Sequence, residues 1–253
     1  MRLDVFLVEK GFFPSREKAK LAIVDGKITV NKKIRDKASF ETEETDSVEV
    51  AEHQLLKYVS LGGMKLEKAI ETFGFDFKGK TVLDIGASTG GFTDCALQHG
   101  ADFVFAVDVG SEQLHHSLIG HEQIQSFENQ NIKDFILPKK ADVIVMDVSF
   151  VSQITFFPNL NNFLVEDGVF ISLIKPQFEL DQRIRFSNGV VTDKKLHLKV
   201  LKSIVTAAGK NGLYIQGLCT APAFPKKNVE YLAIFSNTKA AKVIDLKKFV
   251  GLE

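Results

Sequence analysis

Thr81-Val-Leu-Asp-Ile-Gly-Ala-Ser-Thr-Gly-Gly91 runs apolar and β-branched residues into a glycine-rich turn. Phe92 to His99 then reads as a helix. Strand, loop and helix in that order open an α/β sheet, which binds ligands at the carboxyl ends of its strands near the topological switch point. Glycine admits positive φ and lets a ligand approach the backbone closely. The spacing is D-x-G-x-x-x-G-G, so the G-x-G-x-x-G dinucleotide fingerprint is absent.

Phe103-Val-Phe-Ala-Val-Asp108 reads as the next strand and ends in an acid. An acid about twenty residues past the loop is placed to accept ribose hydroxyls. The two segments resemble motif I and the strand-two acid of class I methyltransferases, which bind S-adenosylmethionine (SAM). SAM carries no phosphate and needs no pyrophosphate cradle, which fits the altered spacing. The resemblance implies a cofactor site at Asp84, Gly86, Ala87, Ser88, Thr89, Gly90, Gly91, Phe92 and Asp108. A weak third strand within 123–130 is followed by Asn129-Gln-Asn-Ile132, whose amides are placed to face an adenine, with Asn131 and Ile132 assigned to the cofactor site. Asp147 joins the same set.

At 253 residues the chain is one large domain or two small ones. Hydrophobic residues make up 45% and charged residues 25%, a globular composition. Lys+Arg and Asp+Glu both total 32, so net charge names no partner, although its distribution can. Cys95 and Cys219 show no metal or redox spacing, the pattern of a reducing compartment. The N-terminal apolar run is too short for a secretory signal, and no window approaches eighteen apolar residues. The expectation is a cytoplasmic protein without a membrane segment. His115, His116 and His121 lack ligand spacing and read as loop residues, so no metal is expected.

Residues 1–50 form a first, small α+β unit. Leu3 to Val8 reads as a short helix, and Ser15 N-caps a second over Arg16–Val24, closed by Asp25-Gly26. Lys27–Asn31 and Ser47–Val50 read as strands. Basic residues crowd the first 37 positions, an electrostatic footprint for a nucleic-acid backbone. Arg2-Leu-Asp, Ser15-Arg-Glu-Lys-Ala-Lys20 and Asp25-Gly-Lys-Ile-Thr-Val-Asn31 resemble the S4 RNA-binding domain. That resemblance implies RNA contacts at Arg2, Ser15, Arg16, Lys18, Lys20, Lys27, Asn31 and Lys32. The family usually has glycine where Lys32 stands, so a looser turn is expected here.

Residues 51–57 read as a short polar linker, and 58–253 as a second domain. In it, Gly62 and Gly63 are expected to turn before a helix that runs to about Phe73 and holds Lys65 in its first turn. There a cation opposes the helix dipole. Ala141–Asp147 is a continuous apolar run ending in an acid, as a strand buried on both faces should be. Gly168–Ile174 is another, ending at Lys175. Lys194–Gly209 has helical apolar spacing, and 213–218 with 231–235 close the sheet as an antiparallel pair. The fold expected is Rossmann-like α/β, a mostly parallel seven-stranded sheet of the class I methyltransferase type.

Lys65, Asp147, Lys175 and Glu230, in that order, resemble the catalytic tetrad of FtsJ-like ribose 2′-O-methyltransferases. Together with the S4 unit the chain is similar to the TlyA family, whose members are often labelled hemolysins. The sharpest segments are Ser60–Ala69, Asp84–Gly91, Asp147-Val-Ser-Phe150 and Lys175-Pro-Gln-Phe-Glu179 with Gly189-Val-Val191. The resemblance implies RNA 2′-O-methylation, with ribosomal RNA or a ribosomal subunit as partner. Burial and a neighbouring cation both favour a neutral lysine. Lys175, with Lys65 near it, is therefore the candidate base. Asp147 and Lys65 orient the hydroxyl, and Glu230 orients a lysine. Lys175-Pro-Gln-Phe also differs from the Asn/Asp-Pro-Pro-Tyr/Phe of base-amine methylation.

Two departures flank these residues. Leu61 stands where the family usually has arginine, and Ala223-Phe-Pro-Lys-Lys-Asn228 where it has Gly-Pro-Lys-Gly-Asn. They keep open a second reading, an RNA-binding protein that retains the fold but not catalysis. A third, a membrane-active hemolysin, has only the family label behind it.

Overall fold

The structure is a computed structural model and describes residues 1–24, 26–51, 57–181, 184, 186, 189–223, 227–239 and 244–252. Most of the expected linker, Asp25, and Pro225 with Lys226 lie outside the described residues. The chain divides into two compact units, residues 1–61 and 62–253.

In the first unit, α1 (Leu3–Glu9) and α2 (Arg16–Val24) pack their apolar faces together. Leu3, Phe6, Leu7, Phe13, Ala19 and Ile23 are buried there. A three-stranded antiparallel sheet, ordered β2-β1-β3, joins β1 (Ile28–Val30), β2 (Lys33–Ile34) and β3 (Val48–Val50). Asn31 and Lys32 link β1 to β2 with φ of 52° and 62°. Two left-handed residues make a type I′ hairpin turn, whose twist matches the strands. The turn is thus tight, not loosened by the missing glycine; Lys32 takes the left-handed conformation instead.

The second unit is entered by α3 (Leu61–Phe73). Gly62 and Gly63 lie inside this helix rather than before it, and Lys65 is its fifth residue. The expected clash of Lys65 with the first-turn dipole is therefore largely removed. The sheet has seven strands in the order β6-β5-β4-β7-β8-β10-β9. β4 (Thr81–Ile85), β5 (Phe103–Val107), β6 (Ile124–Phe127), β7 (Ala141–Met146) and β8 (Leu164–Ile174) are parallel. β10 (Tyr231–Ser236) lies antiparallel between β8 and β9 (Tyr214–Thr220). Every residue of β4 is buried.

The helices are α4 (Gly91–Gln98), α5 (Phe157–Phe163), α6 (Pro176–Glu179), α7 (Lys194–Lys210) and α8 (Leu246–Phe249). A 3-10 turn (Gln153–Phe156) and α5 were not anticipated. Their apolar residues Phe156, Phe157, Leu160 and Phe163 are buried at helical spacing. Chain order leaves β4 toward β5 and β6, then returns on its other side to β7. The switch point lies there, at the carboxyl ends of β4 and β7.

Candidate active site

The loop after β4 is shaped by its neighbours. Gly86 takes φ of 80°, and a Cβ on it would lie 2.9 Å from the Asp147 carbonyl oxygen. Only glycine lets β4 and β7 end this close together. Gly90 takes φ of 88° immediately before α4. The Asp108 carboxylate accepts the Ser88 and Gly110 backbone N–H groups, each at 2.8 Å. It therefore braces the loop as well as standing at the tip of β5.

Asp84 is fully buried. Its Oδ2 accepts the Thr93 hydroxyl at 2.7 Å, whereas its Oδ1 has no partner among the described residues. Burial pushes this carboxyl up to about 7; Asp147 and Asp108 add to the rise, and the Thr93 hydrogen bonds oppose it. A buried carboxylate oxygen with a free lone pair beside a glycine-shaped loop fits a cationic cofactor. Asn131 is exposed, and its Oδ1 accepts the Lys133 N–H at 3.1 Å. Phe92 and Ile132 are 3% and 5% exposed, so their side chains offer a ligand little surface. Ala87 is buried as well, while Thr89 and Ser88 stay open at the loop.

Asp147 and Lys175 follow the adjacent strands β7 and β8, and their side chains meet at 2.5 Å. Lys175 Nζ also donates to Ser149 Oγ at 2.8 Å and sits 5.9 Å from the Phe178 ring. Glu230 precedes β10, whose register sets Tyr231 opposite Ile174 and so leads Glu230 toward Lys175. Glu230 Oε2 accepts Lys65 Nζ at 2.6 Å, both side chains being about 15% exposed. Four separated segments thus supply two compact ion pairs. Each lysine faces a carboxylate.

Several residues of the quoted segments prove to be supports, a role the sequence did not assign them. Asn228 donates to the Gly189 carbonyl at 2.9 Å and accepts the Val191 N–H at 2.8 Å. The Val191 carbonyl accepts His197 Nε2 at 2.9 Å, and Tyr231 OH lies 2.8 Å from His197 Nδ1. Since a carbonyl only accepts, Nε2 carries the proton and Nδ1 accepts from Tyr231. This buttons residues 189–191 to the strand that follows Glu230. Glu179 accepts Ser152 Oγ at 2.5 Å and the Gln153 N–H at 2.9 Å, tying α6 to the loop after β7. Burial raises its carboxyl above the usual range against those two hydrogen bonds. Phe150, in that loop, is 82% exposed at φ of 64° and packs on Phe178 at 4.9 Å.

In the first unit Asp4 is completely buried and gathers Arg2 at 2.9 Å, Arg16 at 2.8 Å and Lys20 at 3.7 Å. Burial pushes the Asp4 carboxyl up, but hydrogen bonds from Arg2 and Arg16 outweigh it and hold it below the usual range. Lys18 is a correction. It is 2% exposed and its ammonium donates to the Tyr58 carbonyl, so it is a structural residue rather than an RNA contact. Ser15 Oγ accepts the Lys18 N–H, the capping role, and Asn31 is committed to Ser47 and Asp46. Lys27 and Lys32 are exposed. Among the described residues no group of three or more His, Cys, Asp or Glu is arranged to hold a metal.

Residues 58–237 match the FtsJ-like methyltransferase family and residues 1–48 the S4 domain. The chain is 40% identical over 239 residues to YqxC of Bacillus subtilis strain 168, provisionally named an rRNA methyltransferase, covering 91% of this chain and 84% of that one. It is 32% identical over 256 residues to the 16S/23S rRNA (cytidine-2′-O)-methyltransferase TlyA of Mycobacterium tuberculosis, covering 100% and 94%. A solved structure from Streptococcus thermophilus, provisionally named a hemolysin, is similar at a TM-score of 0.77 with 34% identity, covering 99% of this chain and 94% of that one. With an S4 match, an FtsJ-like match and these relatives, the chain belongs to the TlyA family of methyltransferases.

Proposed function

We propose that this chain methylates a ribose 2′-hydroxyl of ribosomal RNA, in a free or assembled ribosomal subunit. The observation that carries the reading is the pair of ion pairs, Lys175–Asp147 and Lys65–Glu230, beside the loop after β4. SAM, when bound, supplies a methyl group already activated on a sulfonium. Asp84, the 86–92 loop, Asp108, Asn131 and Ile132 are the residues that would hold it.

A ribose hydroxyl is a weak acid and needs an aimed acceptor for its proton. A lysine ammonium has three N–H donors. At Lys175 one of these donates to Ser149 Oγ, and the ammonium rests against the Asp147 carboxylate. In the neutral amine one of these three directions becomes a lone pair. Lys175 Nζ takes the hydroxyl proton along that direction, and solvent removes it afterwards. Lys65, fixed by Glu230, orients the hydroxyl oxygen. Placement of the oxygen in line for attack supplies much of the acceleration.

In this reading residues 1–50 bind RNA, 51–57 connect and 58–253 catalyse. Ribosomal RNA places the reaction in the cytoplasm. No helix among the described residues is long and apolar enough to cross a membrane, and the hemolytic reading has only the names of relatives behind it. Transfer of labelled methyl from SAM to ribosomal subunits tests the mechanism. Lys175→Ala and Lys65→Ala should each lower kcat about 10²-fold or more while SAM still binds. Full turnover by Lys175→Ala would remove the proposed base.

A further inference from the structure

The chain has no net charge, yet residues 194–253 carry eleven lysines against three acids. α7 is the centre of this excess. Its seventeen residues include Lys194, Lys195, Lys199, Lys202 and Lys210 and no acid at all. Lys195, Lys199, Lys202 and Lys210 are exposed and recur at helical spacing, a row about 22 Å long at 1.5 Å per residue. The opposite face, with His197, Val200, Leu201, Ile204 and Ala208, is buried. Lys247 and Lys248 of α8 extend the charge, and Lys194 Nζ bonds the Gly251 carbonyl after α8 at 3.2 Å.

The nearby acids do not answer these lysines. Asp193 accepts the Lys195 N–H and Asp245 accepts the Lys247 and Lys248 N–H groups, so both serve as helix caps. Among the described residues none of the α7 or α8 lysines makes an ion pair. Like charges at i, i+3 and i, i+4 repel, and lysines in a first helical turn oppose the dipole. A helix face that only had to stay solvated is better built with Glu–Lys pairs. The arrangement fits a surface that is covered by an anion in use.

α7 also starts at the active-site end of the sheet, where His197 bonds Tyr231 beside Glu230. Resting on the RNA methyltransferase reading, we infer that the exposed face of α7, continued by α8, binds the phosphate backbone of the substrate RNA flanking the methylated nucleotide. This face belongs to the catalytic unit and is separate from the cations of the first unit.

The test uses full-length protein carrying Lys195→Glu, Lys199→Glu and Lys202→Glu together, with Lys195→Gln, Lys199→Gln and Lys202→Gln as the neutral version. Lys139→Glu with Lys140→Glu, before β7, controls for charge alone. Affinity for ribosomal subunits is measured against salt, alongside SAM affinity and methyl transfer. The Glu triple variant should bind RNA about ten-fold or more weakly and the Gln variant less so, with the log–log salt slope falling by roughly one for each phosphate no longer neutralised. SAM affinity should be unchanged, and KM for RNA should rise with kcat kept. Unchanged RNA affinity and slope in the triple variant would overturn the inference, as would an equal loss in the control. Wild type that binds RNA through this face but transfers no methyl would instead sink the catalytic reading and leave this one standing.

Discussion

Asp84 concentrates the electrostatic problem of the site in one residue. It is wholly buried, one of its oxygens is unpartnered among the described residues, and its carboxyl is pushed up to about 7. Between the unfolded value near 4 and about 7 the folded protein holds a proton that the unfolded chain has released. The Asp84 contribution to stability therefore falls as pH rises through that window and is level above it. A cationic cofactor favours the ionised form, so SAM should bind about ten-fold more tightly at pH 8 than at pH 6. Asp84→Asn should abolish that dependence and weaken binding. Calorimetric titration at both pH values reads it directly, and equal affinities in the wild type would contradict the account. Lys18 shows the converse error at the same scale. Its charge reads as exposed, but it shares the buried face of α2 with Ala19, Ala22 and Ile23.

At the scale of elements, the β1–β2 turn and the strap at 189–191 make opposite predictions. Lys32 sits at φ of 62° in a turn position that suits glycine. A left-handed residue with a Cβ costs about 1–2 kcal/mol, and glycine returns part of that as unfolded-state entropy. Lys32→Gly should therefore raise stability by about 0.5–1 kcal/mol, seen as a higher denaturation midpoint; a lower midpoint would refute the strain. Asn228 holds Gly189 and Val191 by two backbone-like hydrogen bonds two residues before Glu230. Asn228→Ala should lower kcat several-fold with KM for SAM little changed, because Glu230 loses its support and the cofactor loop does not. A change in KM for SAM alone would assign the residue elsewhere.

The strands were legible because β4, β7 and the Gly168–Ile174 half of β8 are apolar runs almost wholly buried, a signal that needs no partner; the exposed Glu166 and Asp167 hid the start of β8. α5 was not, because Pro158, Asn159, Asn161 and Asn162 hide the spacing of its phenylalanines. Asp147 and Lys175 were legible as residues that follow strands and Glu230 as one that precedes a strand, whereas Lys65 lies inside α3 rather than at its start. Their pairing was not legible, because it depends on the β8–β10 register and on Glu230 reaching Lys65 across 165 positions.

Over the whole molecule, charge is segregated in a chain that is neutral in sum. Residues 1–37 carry ten lysines and arginines against five acids, and residues 194–253 eleven against three, leaving the acids concentrated between. Such segregation is a statement about partners rather than about fold. It predicts that RNA binding by the full chain weakens steeply with salt while SAM binding does not. The central claim is narrower: these two ion pairs serve a ribose hydroxyl. It is tested most directly by treating unmethylated ribosomal subunits with the protein and isotopically labelled SAM, digesting the RNA to nucleosides and identifying the labelled product by mass spectrometry. The account predicts the label in a 2′-O-methylnucleoside. Label in a base-methylated nucleoside, or none in any nucleoside despite bound SAM, would contradict it.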